Sequence, residues 1–393
     1  MPTTLDHDLR RVFPQLAQFH STKELEDSAV YALVRREVER VLDSVISEDF
    51  AAPENTVARS FIRAVAWNIE RGKSLPQIIR ALNTHPLLAK SDLLLLTELD
   101  YGMARTGNAH IAREIAEALR MNYVFAPCYL ALNKGSGLEA EAAGENTQSL
   151  HGNAVLARFP LHRAHSFALP NGKDKMRGKE KRLGCQRAVI ADMQHPMAGQ
   201  LRVVSLHLDA HSTQNHRYQQ MRLLLDHLKD LRPRVPVVIG GDWNTSTYNS
   251  RRALYSILGY ARRVAMGVGN VIENHYPYPE RWFERKLFRE LEERGYNYRD
   301  LNEPGACTLH YDVSDRATNV NLGDWIPQWC FHFINWALSA HGGRCSLKLD
   351  WFAGKDVRSA PERRPQVINS KTFGDASPPS DHDPILLDFV LQN

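Results

Sequence analysis

Carboxylates, Asn amides and imidazoles recur at the ends of apolar runs: Asn68 and Glu70, Glu98 and Asp100, His207 and Asp209, Asp242 and Asn244. A further cluster, Ser380-Asp381-His382-Asp383-Pro384, precedes the last apolar run, Ile385 to Leu391. Oxygen donors of this kind suit a hard divalent cation, and the imidazoles suit donation to phosphate oxygens. Any one of these sites is also ordinary turn chemistry, because strands commonly finish in Asp or Asn. Brought together they would do more. A phosphodiester resists hydrolysis because its charge repels a nucleophile, and a cation with imidazolium donors lowers that barrier.

The elements that must position these groups can be read from periodicity. Strands are expected at Phe61 to Trp67, Asp92 to Thr97, Gly152 to Arg158, Arg187 to Met193, Leu201 to Leu208 and Val235 to Ile239. Helical spacing marks Leu75 to Leu88, Asn108 to Arg120, and a helix entered at Ser212 or Thr213 that carries Met221, Leu224, Leu225 and Leu228. Residues 132–149, rich in Gly, Ala, Glu and Asn, read as a loop. Near the start, Ser21-Thr-Lys-Glu24 is a capping box, and Val30, Val34, Val38, Val41 and Val45 form one stripe, so a single long helix is expected over residues 21–48. The stripe needs an apolar partner, and docking on the same chain is a simpler expectation than dimerisation. A linker is expected at Ala51-Ala-Pro53. Strands with helices between them, but without strict alternation, indicate a mixed α/β protein.

The 393 residues carry 49 Lys plus Arg against 45 Asp plus Glu, a net charge of +4. That is too small to make the whole surface seek polyanions, so phosphate binding must be local. No apolar stretch reaches the length of a membrane span and no cleavable leader is evident, so a soluble, cytoplasmic protein is expected. Five scattered cysteines show no zinc or redox spacing and are expected as buried thiols.

Six short motifs stand in order: Trp67-Asn68-Ile69-Glu70, Thr97-Glu98-Leu99, Ser205-Leu206-His207, Gly241-Asp242-Trp243-Asn244, Leu349-Asp350-Trp351 and Ser380-Asp381-His382. In this order they resemble the endonuclease/exonuclease/phosphatase superfamily, which includes DNase I-like nucleases, AP endonucleases, neutral sphingomyelinases and inositol polyphosphate 5-phosphatases. The resemblance runs from about Ile62 to Val390 with one large interruption. It implies a four-layered αββα sandwich with strand-end loops around one cleft, and hydrolysis of a phosphate ester with Mg²⁺, Mn²⁺ or Ca²⁺ as the ion. Carried over, Glu98 is the principal metal carboxylate, with Asn68, Asp381 and Glu70 near the metal or its waters. Asp242 orients or deprotonates the attacking water, and Asn244 holds Asp242 and reaches the phosphate. His207 and His382 donate to phosphate oxygens, and Asp350 pairs with His382. A phosphodiesterase is the first reading; a phosphomonoesterase acting on a lipid or inositol phosphate, or a silent protein-binding scaffold, is the alternative.

Three further residues are candidate substrate contacts: Arg187 at a strand entry, and Tyr101 and Arg105 in the loop after Glu98. Arg187 is equally readable as a solvated charge, and Arg105 as a clamp on Asp100. The segment Lys173 to Arg182 holds six basic and two acidic residues and reads either as a track for a nucleic-acid backbone or as a solvated loop. The domain plan expected is an N-terminal helical extension over residues 1–60 and a catalytic domain over 61–393. An aromatic-rich insertion at about 250–345 contains Trp282, Trp325, Trp329 and Trp336. An insertion of this size should have its own small core, with a minority of its aromatics lining a cap over the cleft. Such a cap would favour a lipid or aromatic leaving group over duplex DNA, while the basic segment favours nucleic acid; both substrate classes stay open.

Overall fold

Side-chain alternation along two facing sheets divides the apolar residues into three cores and fixes where polar strand ends can meet. The computed structural model describes residues 4–51, 59–210, 212–245, 253–314, 330–375 and 377–392. Its strands are β1 Ile46–Glu48, β2 Ile62–Arg71, β3 Leu93–Tyr101, β4 Asn122–Ala131, β5 Leu150–Ala157, β6 Leu161–Leu169, β7 Arg182–Gly184, β8 Gln186–His195, β9 Gly199–Ser205, β10 Val237–Asp242, β11 Leu309–Asp312, β12 Arg344–Leu347, β13 Asp350–Lys355, β14 Val357–Ser359, β15 Gln366–Val367 and β16 Ile385–Leu391. Its longer helices are α1 Ala29–Asp43, α2 Leu75–Thr84, α3 Ile111–Leu119, α4 Gln214–Asp230, α5 Ala253–Ala265, α6 Arg285–Glu293 and α7 Cys330–Ser339.

One sheet runs β1-β4-β5-β3-β2-β16-β14, with β15 on β16 and β7 on β4; the other runs β13-β10-β9-β8-β6. Both are mixed: β2 and β3 are parallel, as are β9 and β10, and the other pairs are antiparallel. Ala64 and Ala66 of β2, Leu93 and Leu95 of β3, Val203 of β9, Val238 of β10 and Phe352 of β13 fill the gap between the sheets. Val65 and Trp67 turn outward to meet α2, α3 and the N-terminal segment. Val204, Ile239 and Trp351 turn outward on the other side, against α4 and α6. The result is an αββα sandwich.

The N-terminal segment differs from one long helix. A short helix Thr22–Glu26 starts at the Ser21 cap, Ser28 caps α1 anew, and the chain turns extended at Ser44 to enter β1 on the edge of β4. The valine stripe nonetheless packs on this chain: Val38 and Val41 are fully buried beside Tyr123 and Phe125, with Val30 and Val34 against them. The helix expected to reach Leu88 stops at Thr84, because His85 before Pro86 takes an extended conformation. The longest of the unanticipated strands are β4, whose pattern is broken by Pro127 at a register shift, and β6.

The insertion likewise departs from a self-contained core. Leu287, Phe288 and Leu291 of α6 join the outer core of the second sheet with Trp243 and Trp351. The helix expected around Phe333 and Trp336 is α7, where those side chains are 53% and 66% exposed. Trp325 and Trp329, and the linker centred on Pro53, lie outside the described residues. Among the described residues, no helix is long and apolar enough to cross a membrane.

Candidate active site

The parity that sends Ala64 and Ala66 into the gap between the sheets also sends Asn68 there, at the end of β2. The same rule applied to Val238 and Phe352 places Asp242 and Asp350 at the gap's mouth, and Val203 and Ser205 point the way for His207. These side chains meet. Asn68 Nδ2 donates to Asp242 Oδ2 at 3.0 Å, and the Asn244 backbone N–H donates to Asp242 Oδ1 at 2.8 Å. Asn244 Nδ2 lies 3.0 Å from His207 Nε2 and donates to the Leu208 carbonyl at 3.0 Å. His382 Nδ1 donates to Asp350 Oδ2 at 2.8 Å, an oxygen that also accepts from Thr308 Oγ1 at 2.6 Å, while His382 Nε2 stands 3.9 Å from Asp242 Oδ2.

The backbone is bent to make this possible. Register shifts interrupt β2 between Asn68 and Arg71 and β3 between Leu96 and Leu99, and Glu70, Arg71 and Glu98 all take positive φ there. Bulges and strained φ of this kind re-aim side chains at functional rims. At Gly241, φ is +139° and a Cβ would sit 2.2 Å from the Leu206 carbonyl oxygen, so only glycine lets β10 approach the chain leading to His207. Ser380 Oγ donates to the Asn68 carbonyl at 2.7 Å and Trp67 Nε1 to the His382 carbonyl at 2.8 Å, locking the Ser380–His382 loop to the end of β2.

Charge divides the site into zones. Burial alone would raise the Glu98 carboxyl, but the Arg71 guanidinium and the His207, His151 and His382 imidazoles hold it well below the usual range. Glu70 is pushed up by burial and by Asp381; Asp381, exposed at the rim, is pushed up by the surrounding protein and by Glu98 against the pull of His382. Asp242 is raised by burial and by Asp350. His382 overcomes its burial through Asp350 and Asp242 and is raised far above an ordinary imidazole, so it is cationic at neutral pH.

Glu70, Glu98, His207 and Asp381 line one cleft of about 360 Å³, together with Arg71, His151, Asp209 and residues of the Lys173–Arg182 segment. The acids supply an all-oxygen donor set whose mutual repulsion a hard cation would relieve, so these residues fit a divalent metal. Asp242, Asp350 and His382 also offer atoms within 4.8 Å of one another. His382 is there the cation itself, with Nδ1 committed to Asp350, which disfavours an ion in that position.

The three expected substrate contacts lie elsewhere. The Arg105 side chain is 2% exposed and forks onto Asp100 at 2.7 and 2.9 Å, reaching Glu139 at 2.9 Å and Glu180 at 3.0 Å, so the clamp is its position. Tyr101 stacks on His110 with centroids 4.0 Å apart and packs in the outer core. Arg187 binds Ser166 Oγ at 3.0 Å and pairs with Asp43, tying β8 to the end of α1. No described residue of the insertion lines the cleft, so the expected aromatic cap is not formed by the described residues. Conversely, sequence reasoning passed over Arg71, His151 and Thr308. Arg71 had a signal, a cation adjoining an acidic strand end; Thr308, deep in the insertion, had none.

The sequence model of the Endonuclease/Exonuclease/phosphatase family matches residues 65–382. Among solved structures the chain is similar to an endonuclease/exonuclease/phosphatase from Beutenbergia cavernae DSM 12333, with TM-score 0.50 and 17% identity over 85% of this chain and 72% of that one. It is also similar to the 3'-5' exonuclease NExo from Neisseria meningitidis, with TM-score 0.45 and 15% identity over 84% of this chain and 100% of that one. No curated protein matches. The family match spans the strand ends from β2 to His382 that build the cleft, and the chain belongs to the endonuclease/exonuclease/phosphatase family.

Proposed function

We propose that this chain is a metal-dependent phosphodiesterase. Members of its family hydrolyse phosphate esters, and the observation that carries the finer reading is the hydrogen-bonded set Asn68, Asp242, Asn244, His207, His382 and Asp350 beside Glu98. A divalent cation held by Glu98, with Glu70 and Asp381 next to it, would neutralise charge on the phosphoryl oxygens; Mg²⁺ suits this oxygen set, as would Mn²⁺ or Ca²⁺.

The side chains supply the rest. Asp242 accepts a hydrogen bond from the attacking water, and its raised pKa makes it a better base than an ordinary carboxylate. Asn68 and the Asn244 backbone fix its two oxygens. His382, cationic and oriented by Asp350 and Thr308, donates from Nε2 to a non-bridging oxygen. His207 and Asn244 contact the same phosphoryl group from the opposite edge. A diester is favoured over a dianionic monoester because imidazoles and amides, rather than guanidinium forks, surround Asp242. The test is hydrolysis of bis-p-nitrophenyl phosphate with Mg²⁺, Mn²⁺ or Ca²⁺, with EDTA, and by Glu98→Ala. Turnover should vanish with EDTA and fall at least ~10²-fold in the variant; a rate indifferent to both overturns the proposal.

A further inference from the structure

The basic segment that begins at Lys173 is anchored to the rest of the fold, with Arg177 and Lys179 left exposed. Met176 is fully buried in the core shared by the first sheet and the N-terminal segment. Asp174 accepts from the Thr22 backbone N–H at 2.9 Å and from Thr22 Oγ1 at 2.6 Å. Lys181 Nζ donates to the carbonyls of Phe19, at 2.7 Å, and Ala17. On the cleft side, the Gly172 N–H and Lys175 Nζ donate to Asp209 at 2.7 and 3.1 Å, and Asn133 Nδ2 donates to the Lys179 carbonyl at 2.8 Å.

Ordering a segment costs conformational entropy, and like charges held close together repel. Of the six cations in the basic segment, Lys175 and Arg182 pair with Asp209 and Glu180, Arg177 lies 3.8 Å from Asp174, and all but Lys181 line the one cleft that also contains the acidic rim. Lys173, Arg177 and Lys179 line one wall, while Glu70, Glu98 and Asp381 line another. The cleft is therefore bipolar: its acids suit a cation, and its basic wall suits an anion other than the phosphoryl group at Asp242. At about 360 Å³ it has the size of a small-molecule pocket.

We propose that Lys173, Arg177 and Lys179 form a subsite for a second phosphate of the substrate, one linker unit from the scissile phosphodiester, and that the N-terminal segment holds this subsite in place. The proposal rests on the phosphodiesterase reading and adds the substrate class: a short or chain-terminal phosphodiester bearing another phosphate.

The probe is a pair of chromogenic esters, thymidine 5'-(p-nitrophenyl phosphate) with and without a 3'-phosphate, tested on the full chain with Mg²⁺. The 3'-phosphorylated ester should have a kcat/KM higher by about tenfold or more, the scale of a charge-assisted contact. In the triple variant K173A/R177A/K179A that ratio should fall to near one. A mere packing defect would lower both substrates and leave the ratio standing. A ratio near one in the unaltered protein, or one that survives in the triple variant, overturns the subsite. If neither ester is hydrolysed, the phosphodiesterase reading fails, and the subsite is judged by calorimetry instead. Thymidine 3',5'-bisphosphate should then bind at least about tenfold more tightly than the 5'-monophosphate, with the gain lost in the variant; equal binding overturns it. Repeating the comparison with a base-free pair tells a nucleotide source from any other carrier of the phosphate; a gain with either pair supports the subsite.

Discussion

Two polar clusters flank Glu98, built from the same kinds of acid, yet they have opposite characters. In the first, Asp100 is forked by Arg105 and bonded by His151 at 2.9 Å, Glu139 is shared by Arg71, Lys73 and Arg105, and Glu180 is held by Arg105 and Arg182. Despite burial, these guanidinium groups hold Asp100, Glu139 and Glu180 below the usual carboxylate range. In the second, Asp242 and Asp350 are compensated by imidazoles and amides, and Asp242, Glu70 and Asp381 are raised. Carboxylates neutralised by fixed guanidiniums act as structure. Those left under-compensated keep capacity for a cation, a proton or a substrate. Glu98, two residues from Asp100, stands between the two: Arg71 and His151 of the first cluster and His207 and His382 of the second together hold it well below the usual range.

The largest expected effect tests the structural cluster. Arg105→Ala strands Asp100 and its neighbours in a buried position, and the free energy of unfolding should fall by about 3–5 kcal/mol in a urea titration. A loss under about 1 kcal/mol would mean that the clamp is not what holds these acids. On the other side, His382→Ala should cost at least ~10²-fold in turnover of bis-p-nitrophenyl phosphate, or about 3 kcal/mol, measured on the folded fraction. Near-normal turnover would remove His382 from the chemistry. The sharpest contrast is one of sign: without added metal, Glu70→Gln should leave the unfolding midpoint unchanged or raise it, whereas Glu139→Gln should lower it. If both substitutions destabilise equally, the distinction between compensated and under-compensated acids is lost.

The sequence carried the second cluster better than the first, for a geometric reason. Asn68 and Asp242 stand at strand ends and His207 two residues beyond β9, in an alternation that continues unbroken to the rim, so period-two reading and strand-end position suffice to converge them. In β3 the alternation breaks: Leu94 and Leu96 face outward, and after the shift Leu99 and Tyr101 do. A bulge that inserts a residue reverses parity, and nothing in Thr97-Glu98-Leu99 announces it, so Tyr101 lands on the outer face. Arg105 and Arg187 illustrate a second limit. A cation near an active strand end looks the same in sequence whether its partner is a phosphate or a carboxylate such as Asp100 or Asp43, supplied from elsewhere in the fold. The insertion was legible as a length and an aromatic content. Its use as the outer layer over Trp243 and Trp351, and as the source of Thr308, depends on contacts far apart in the chain.

The smallest effect probes the outer layer where Tyr101 packs, and asks whether that layer is structural alone. His110 accepts from the Arg113 N–H at the start of α3 and stacks on Tyr101, and burial pushes its pKa down to about 3. An unfolded His takes up its proton near pH 6.5, so between there and about 3 the unfolded chain binds more protons than the folded one. Stability is therefore full above pH 6.5 and declines as pH falls toward 3. His110→Asn keeps a capping side chain and removes the titration. Its unfolding free energy should fall less steeply from pH 7 to pH 5, by about 2 kcal/mol, while hydrolysis at neutral pH is unaffected. An unchanged pH slope would shift the acid sensitivity to other buried imidazoles. A loss of turnover at neutral pH would show that the layer beneath Tyr101 reaches the cleft after all, and the boundary between the two clusters would have to be redrawn around β3.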